Sequence, residues 1–117
     1  MEKNFKKLLV WQRADELCRQ IYMITKQFPK DELYGLTSQI RRAAVSVPTN
    51  IVEGSARRNR NEFKQFLNIA IGSLAETEYL LELSVKLGYL SQDEYNLTAS
   101  LRHETGAMLF KLYQAFT

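Results

Sequence analysis

The chain has 117 residues, of which 45% are apolar and 25% charged. This length fits a single domain, and this composition is typical of a soluble globular protein. The one cysteine, Cys18, excludes an internal disulfide and a thiolate metal cage. No apolar run approaches the roughly 18 residues of a membrane span, and the first residues lack the apolar core of a signal peptide. We therefore expect a cytoplasmic protein with no membrane partner.

The formal net charge of +3 is concentrated in one segment. Residues 54–64 contain four basic side chains against Glu62, which gives +3 and equals the excess of the whole chain. The four are Arg57, Arg58, Arg60 and Lys64. A local basic patch suits a polyanion or an acidic partner. The alternative interpretation is a solvated connection that keeps the protein soluble.

Taken in chain order, apolar residues at helical spacing predict four helices, at about 8–27, 32–54, 60–87 and 92–116. In the first helix, Val10, Ala14, Leu17 and Ile21 mark one face. Four helices of this length with short connections predict an up-down-up-down four-helix bundle. The expected fold class is all-α, with one domain over residues 1–117.

Several residues are expected to set the helix ends. Asp31 is the predicted N-cap of the second helix. Gly54 is a candidate for the left-handed residue that ends the second helix, and Gly88 for the one that ends the third. Two pairs have the spacing of a capping box at the starts of the third and fourth helices: Asn59 with Glu62, and Ser91 with Glu94.

The second helix contains Pro48, which removes a backbone donor and predicts a bend or a local widening of the helix. We expect the hydroxyl of Ser46 to bond a carbonyl one turn back and so satisfy part of the interrupted ladder. Val45 and Val52 extend the apolar arc well beyond the roughly 100° that a monomeric bundle needs. The favoured interpretation is an interface with another copy of the chain. The alternative is that both valines are exposed or lie beneath the N-terminal tail.

The opposite face of the same helix is polar. Its members recur at steps of three and four residues: Gln39, Arg42, Ser46, Asn50, Glu53 and Arg57. One interpretation is a track that holds a ligand or an RNA backbone, and the other is a solvated face. Glu53 and Arg57 are four residues apart, in the favourable orientation for an ion pair.

In the third helix, Glu78 falls inside the apolar arc, where a lone charge is costly. We expect an ion pair with Arg13, Arg41 or Arg42. This interpretation is favoured over a role for Glu78 as an acid–base catalyst.

The sequence contains no constellation typical of catalysis or metal binding. His103 is the only histidine, and the Glu-x-x-His pairs of di-metal bundles are absent. The five glycines are scattered and form no phosphate loop, and Cys18 is interpreted as a core residue. We therefore expect no enzyme activity, no metal and no cofactor.

Nucleic-acid binding is the functional hypothesis that the basic residues favour. The candidates are Arg41, Arg42, Arg57, Arg58, Arg60 and Lys64. Arginine in a helix connection can contact phosphate without reading bases, so one copy is expected to bind weakly and with strong salt dependence. A ring of copies would gain avidity. No helix-turn-helix, zinc-finger or RNA-recognition motif is present.

Three stretches of the chain resemble a known family. They are the entry with Phe5, Leu8, Val10, Trp11 and Gln12, the segment FPKDELYGLTSQIRRAAVSVPTNIVEG at 28–54, and EFKQFLNIAIGSLAETE at 62–78. With the arginine-rich turn between the last two, they resemble the bacterial 23S rRNA intervening-sequence proteins over essentially the whole chain. The most specific part of the pattern maps onto residues interpreted as structural: Ser46, Pro48, Asn50, Glu53 and Gly54.

This resemblance implies a four-helix bundle, often assembled as a cyclic pentamer, with a positive rim at Arg57, Arg58, Arg60 and Lys64. The architecture is also similar to the accessory subunit of diversity-generating retroelements, a barrel-shaped pentamer that binds a reverse transcriptase and RNA. The leading hypothesis is a non-enzymatic homo-oligomer that binds RNA or other nucleic acid. The alternative is a protein–protein scaffold or an accessory subunit for another enzyme, such as a reverse transcriptase.

Overall fold

The computed structural model describes residues 4–116. Four α-helices follow one another along the chain: α1 (Leu9–Ile24), α2 (Leu36–Ser55), α3 (Arg60–Lys86) and α4 (Gln92–Gln114). Short 3₁₀ helices lie at Phe5–Lys7, Thr25–Gln27 and Lys30–Glu32. No residue in the described part lies in a β-strand, which confirms the predicted all-α class.

Each helix packs against two others, so that α1 and α3 each contact both α2 and α4. Consecutive helices run in opposite directions, as short connections require, and the bundle is 46 Å long. The starts of α1 and α3 therefore lie at the same end of the bundle as the ends of α2 and α4. This shared end positions the candidate site.

The core is filled by aliphatic side chains from all four helices. The most deeply buried are Leu17, Ile21, Ile40, Val47, Ile51, Leu67, Leu81 and Leu109. Burial of each such side chain stabilises the fold by about 1.5–3 kcal/mol. The buried hydroxyls of Thr25, Thr77 and Thr105 donate to a carbonyl one turn earlier in the chain. The core therefore holds these polar groups with their donors satisfied.

The start of α2 differs from the prediction. The helix begins at Leu36 with Gly35 at its N-cap, so the prediction of Asp31 as N-cap is wrong. Residues Lys30–Glu32 form a separate 3₁₀ turn, and the carboxylate of Glu32 accepts a hydrogen bond from the Leu36 amide. The hydroxyl of Tyr89 donates to the other oxygen of Glu32 at 2.9 Å. A side chain from outside the helix thus caps it, which local spacing does not reveal.

Gly54 has a different role from the one predicted. It is buried inside α2 with helical geometry, and Gly88 is the glycine with positive φ among residues 4–116. A Cβ at Gly54 would lie 2.7 Å from Cδ1 of Phe63 and 2.8 Å from Cβ of Phe66. Gly54 therefore permits the close approach of α2 and α3 and does not end the helix by a left-handed residue.

The remaining helix ends follow their expected residues in part. Gly88, with φ of 79°, follows α3 as predicted. Ser91 and Glu94 form the full capping box of α4. The side chain of Asn59 caps α3 by accepting from the amide of Asn61.

Candidate nucleic-acid interface

The bundle topology gathers basic side chains at one end. We call this the basic end and define it by its cations: Lys6 and Lys7 before α1, Arg57, Arg58, Arg60 and Lys64 at the α2–α3 connection, and Lys111 in the last turn of α4. The carboxylates of Glu53 and Glu62 lie in the same region. Segments more than 100 residues apart in the chain, from Lys6 to Lys111, thus contribute to one positive surface.

The opposite end of the bundle is electrostatically mixed. Its cations are Lys26, Lys30 and Lys86, and its carboxylates are Asp31, Glu32, Asp93 and Glu94. Gln27 and Ser91 donate hydrogen bonds to Glu94 and lower the pKa of its carboxyl group. Carboxylates and cations are thus close in number at this end, whereas cations predominate at the basic end.

Aromatic rings hold three of the cations at the basic end. The guanidinium of Arg60 lies 4.6 Å from the ring centroid of Phe116 and donates to the carbonyl of Ala115 at 3.4 Å. The ammonium of Lys64 lies 5.0 Å from the ring centroid of Tyr113. Cation–π contacts of this kind order a side chain without neutralising its charge. The cations remain available to an anionic ligand.

Arg57 is held in a similar way on the α2 side. Its guanidinium lies 5.0 Å from the ring centroid of Phe66, and its Nε is 3.9 Å from a carboxylate oxygen of Glu62. Glu62, across the turn, is thus within ion-pair distance of Arg57, for which Glu53 was the predicted partner. Both side chains are about half exposed, so this pair contributes little to stability.

The six predicted contact residues do not form one cluster. Arg41 is half-buried near the other end of the bundle and donates to Thr25 Oγ1 at 2.9 Å and to the carbonyl of Tyr22 at 3.4 Å. It also lies 4.9 Å from the ring centroid of Tyr22. Arg42 is exposed on α2, about 22 Å along the helix from Arg57. Arg41 connects α2 to the end of α1, and Arg42 also lies outside the basic end. The other four candidates belong to the basic end: Arg57, Arg58, Arg60 and Lys64.

The polar track of α2 lies along its seam with α3. The hydroxyl of Ser46 accepts from the amide of Asn50 at 2.9 Å and from the hydroxyl of Ser73 at 2.9 Å. Gln39 donates to Glu76 at 3.4 Å. The expected bond from Ser46 to a carbonyl one turn back is replaced by these contacts because α3 presents Ser73. Ser46, at the centre of the polar track, thus connects α2 to α3 by its hydrogen bond with Ser73.

Pro48 lies inside α2 and is buried. Val45 and Val52, on the same helix, differ in solvent exposure: Val45 is 40% exposed and Val52 is half-buried. The guanidinium of Arg41, which lies one turn before Val45 on α2, is 4.9 Å from the ring centroid of Tyr22 on α1, so Tyr22 borders the same face. We call Val45, Val52 and Tyr22 the outer apolar stripe.

Glu78 does form an ion pair, but with a partner that the sequence analysis did not name. Its carboxylate lies 3.2 Å from the guanidinium of Arg102 on α4. The expected partner Arg13 contacts Glu104 at 2.9 Å. Arg41 donates its hydrogen bonds to Thr25 and Tyr22 instead. The apolar arc of α3 faces α4 at this level, so a cation from α4 is the one within reach.

Cys18 lies in the buried core, as the sequence analysis interpreted it. Burial raises the pKa of the Cys18 thiol, which disfavours the nucleophilic thiolate. Within residues 4–116, no group of three or more histidine, cysteine or carboxylate side chains is arranged to hold a metal ion. In the same range, no helix combines the length and apolar character needed to cross a membrane.

The sequence analysis missed the aromatic partners of the basic end. Phe66, Tyr113 and Phe116 were not among the candidates, although each contacts a cation that was. One signal was available: α3 and α4 are antiparallel in the predicted bundle, so the last turn of α4 must adjoin the first turn of α3. Arg60 and Lys64, four residues apart, then face the end of α4 together.

Comparison with known proteins supports the resemblance noted in the sequence. Among the solved structures that the chain matches is one with a TM-score of 0.82 and 25% sequence identity, covering 91% of this chain and 96% of the other. That structure is of a protein of unknown function from the S23 ribosomal protein family of Bacteroides thetaiotaomicron. A search of curated proteins gives no match. The sequence model of the 23S rRNA-intervening sequence protein family matches residues 6–111, and the chain belongs to this family.

Proposed function

We propose that the chain is a non-enzymatic, oligomeric four-helix bundle that binds RNA or other nucleic acid through the basic end. The observation that carries this proposal is the convergence of cations from the start of α1, the α2–α3 connection and the end of α4. Membership of the 23S rRNA-intervening sequence protein family supports RNA as the polyanion. We place this activity in the cytoplasm, where the thiol of Cys18 stays reduced.

The basic end is suited to phosphate contact. Arg57, Arg58 and Arg60 are exposed, and guanidinium groups bind phosphate oxygens in a bidentate geometry. Contacts of this type position a nucleic acid without reading its sequence. Each phosphate neutralised releases counterions, so affinity falls steeply as the salt concentration rises.

Self-association would multiply this surface. The outer apolar stripe leaves Val45 and Tyr22 40% and 41% exposed on one copy, and removal of such surface from water favours contact with another protein surface. We propose that a second copy covers the stripe and that a ring of copies, of the pentameric kind that the family resemblance implies, gathers several basic ends. Binding then gains avidity without any new contact per copy.

The outer apolar stripe also favours a second candidate function, that of an accessory subunit for another protein. A partner enzyme, such as a reverse transcriptase, would cover the same exposed valine and aromatic side chains. Affinity capture separates the two functions. One stoichiometric protein partner that survives nuclease treatment supports the accessory role, whereas a partner that is lost with the RNA supports direct nucleic-acid binding.

Fluorescence anisotropy with labelled rRNA fragments tests the leading proposal. We expect salt-sensitive binding at micromolar protein, and a loss of about tenfold or more when Arg57→Ala, Arg58→Ala and Arg60→Ala are combined. The matched control combines Lys26→Ala, Lys30→Ala and Lys86→Ala, which removes the same charge from the opposite end. If both triple variants lose affinity equally, net charge explains binding and the basic end does not.

A further inference from the structure

Beside the basic end lies a shallow pocket of about 370 Å³. It is lined by Asn61, Lys64, Gln65, Asn68 and Tyr113. The three amides are four and three residues apart on α3, which places them within about 60° of one another on the helix surface. Tyr113, from the last turns of α4, forms the facing wall. The pocket is thus an amide row opposite an aromatic ring.

The side-chain amides of this row have no hydrogen-bond partner among the described residues 4–116. Asn61 takes part in the α3 cap only through its backbone amide, which donates to Asn59. By contrast, the amides of Gln39 and Asn50 on α2 donate to Glu76 and Ser46. Each free amide offers both donors and an acceptor, so the row can hydrogen-bond a planar ligand edge.

The electrostatics of the pocket favour an anionic ligand with a neutral, polar head. Its lining contains no carboxylate. The ammonium of Lys64 is held 5.0 Å from the ring centroid of Tyr113, and the guanidinium of Arg60 lies one turn earlier on α3, over Phe116. A cation therefore stands at the rim, while the interior presents amides and an aromatic ring.

We propose that this pocket binds one unpaired nucleotide of an RNA strand whose backbone lies on the basic end, with adenine favoured. The proposal rests on the proposed function and adds a base-reading site to it. Lys64 contacts the phosphate, Tyr113 packs against the base, and the amide row bonds the edge of the base. Asparagine and glutamine side chains match the N6 donor and N7 acceptor of adenine in a bidentate geometry. Single-stranded RNA is commonly recognised by this combination of aromatic contact and edge hydrogen bonds.

Anisotropy titrations with single-stranded oligoadenylate, oligouridylate and oligocytidylate of equal length test the proposal. Because these RNAs carry the same charge, the basic end binds them equally and any difference reports on the bases. We expect the wild-type protein to bind oligoadenylate roughly tenfold more tightly than the other two. Equal affinity for all three overturns the pocket and leaves phosphate binding at the basic end intact. If the protein binds none of the three RNAs, the proposed function is overturned as well.

The variant that combines Asn61→Ala, Gln65→Ala and Asn68→Ala is the second arm. Alanine has a higher helix propensity than asparagine or glutamine, so α3 is expected to remain folded, as circular dichroism will show. This variant should lose the preference for adenine and keep the salt dependence of the wild type. The matched control combines Gln92→Ala with Asn96→Ala, which removes exposed amides from α4 at the opposite end. An adenine preference that survives in the amide-row variant contradicts the assignment.

Discussion

The guanidinium of Arg60, the first residue of α3, lies 4.6 Å from the ring centroid of Phe116, which follows the last turn of α4. The same arginine donates to the carbonyl of Ala115, one of the carbonyls that a helix end leaves without an intrahelical partner. A positive charge at this position also interacts favourably with the negative end of the helix dipole of α4. Arg60 thus connects the start of α3 to the end of α4, and it also presents its charge at the basic end.

The glycines of α2 and α3 provide a matched pair of stability tests. Gly54→Ala would place Cβ against Phe63 and Phe66, so α2 and α3 must separate, and we expect a loss of about 1–3 kcal/mol. Gly72→Ala meets nothing within 4 Å in an exposed helical position and should stabilise by about 0.5–1 kcal/mol. Urea denaturation of both variants checks this prediction. Equal effects would contradict the assigned role of Gly54.

Arg41 and Arg42 are adjacent in sequence but are expected to differ in effect. Arg41→Met removes hydrogen bonds to Thr25 and Tyr22, and we expect a loss of about 1–2 kcal/mol in the free energy of unfolding. Arg42→Met changes an exposed side chain and should stay within about 0.5 kcal/mol of the wild type. Neither should reduce RNA affinity as much as Arg58→Ala. A larger RNA defect in Arg42→Met would restore this residue to the interface.

Glu94 gives the stability a predictable dependence on pH. Hydrogen bonds from Gln27 and Ser91 lower the pKa of Glu94 in the folded state, so the charged form stabilises the fold above the ordinary carboxyl pKa. This contribution is lost as the pH falls below the ordinary carboxyl pKa and through the lowered pKa of Glu94. Glu94→Gln should flatten that part of the profile in urea denaturation at a series of pH values. An unchanged slope would show that other carboxylates dominate it.

The outer apolar stripe predicts the effect of a charge at the proposed contact between copies. In light scattering, the wild-type protein should have about five times the chain mass of 13.6 kDa. Val45→Glu should lower this mass and keep the helices, because Val45 is 40% exposed in a single copy and a buried lone charge opposes association. The control is Leu97→Glu, at a side chain that is 74% exposed on α4. A monomeric wild type would contradict the assembly.

Local sequence signals predicted the helices and some of their ends, since periodicity and caps such as Ser91 with Glu94 depend on neighbours in the chain. Contacts between helices were harder to predict from the sequence. Gly54 resembles a helix-ending glycine until Phe63 and Phe66 are placed against it. Glu78 lay in an apolar arc, yet its partner Arg102 depended on the register of α3 against α4.

The candidate site shows the same limit. The arginine cluster lies within one short segment and was predicted from the sequence alone. Lys6 and Lys111 join it only because the up-down topology returns both segments to one end. That Arg41 lies apart from the cluster could be seen only in the fold. Two adjacent arginines on a helix do not show in the sequence which residues of another helix they will contact.

The salt dependence of RNA binding measures the central claim most directly. The slope of log affinity against log salt concentration counts the phosphates that a protein neutralises, at about 0.7 per phosphate for a single strand. Removal of Arg57, Arg58 and Arg60 should therefore lower the slope by about 2, whereas removal of Lys26, Lys30 and Lys86 should leave it unchanged. Equal slopes for the wild type and both variants would show that RNA does not contact the basic end.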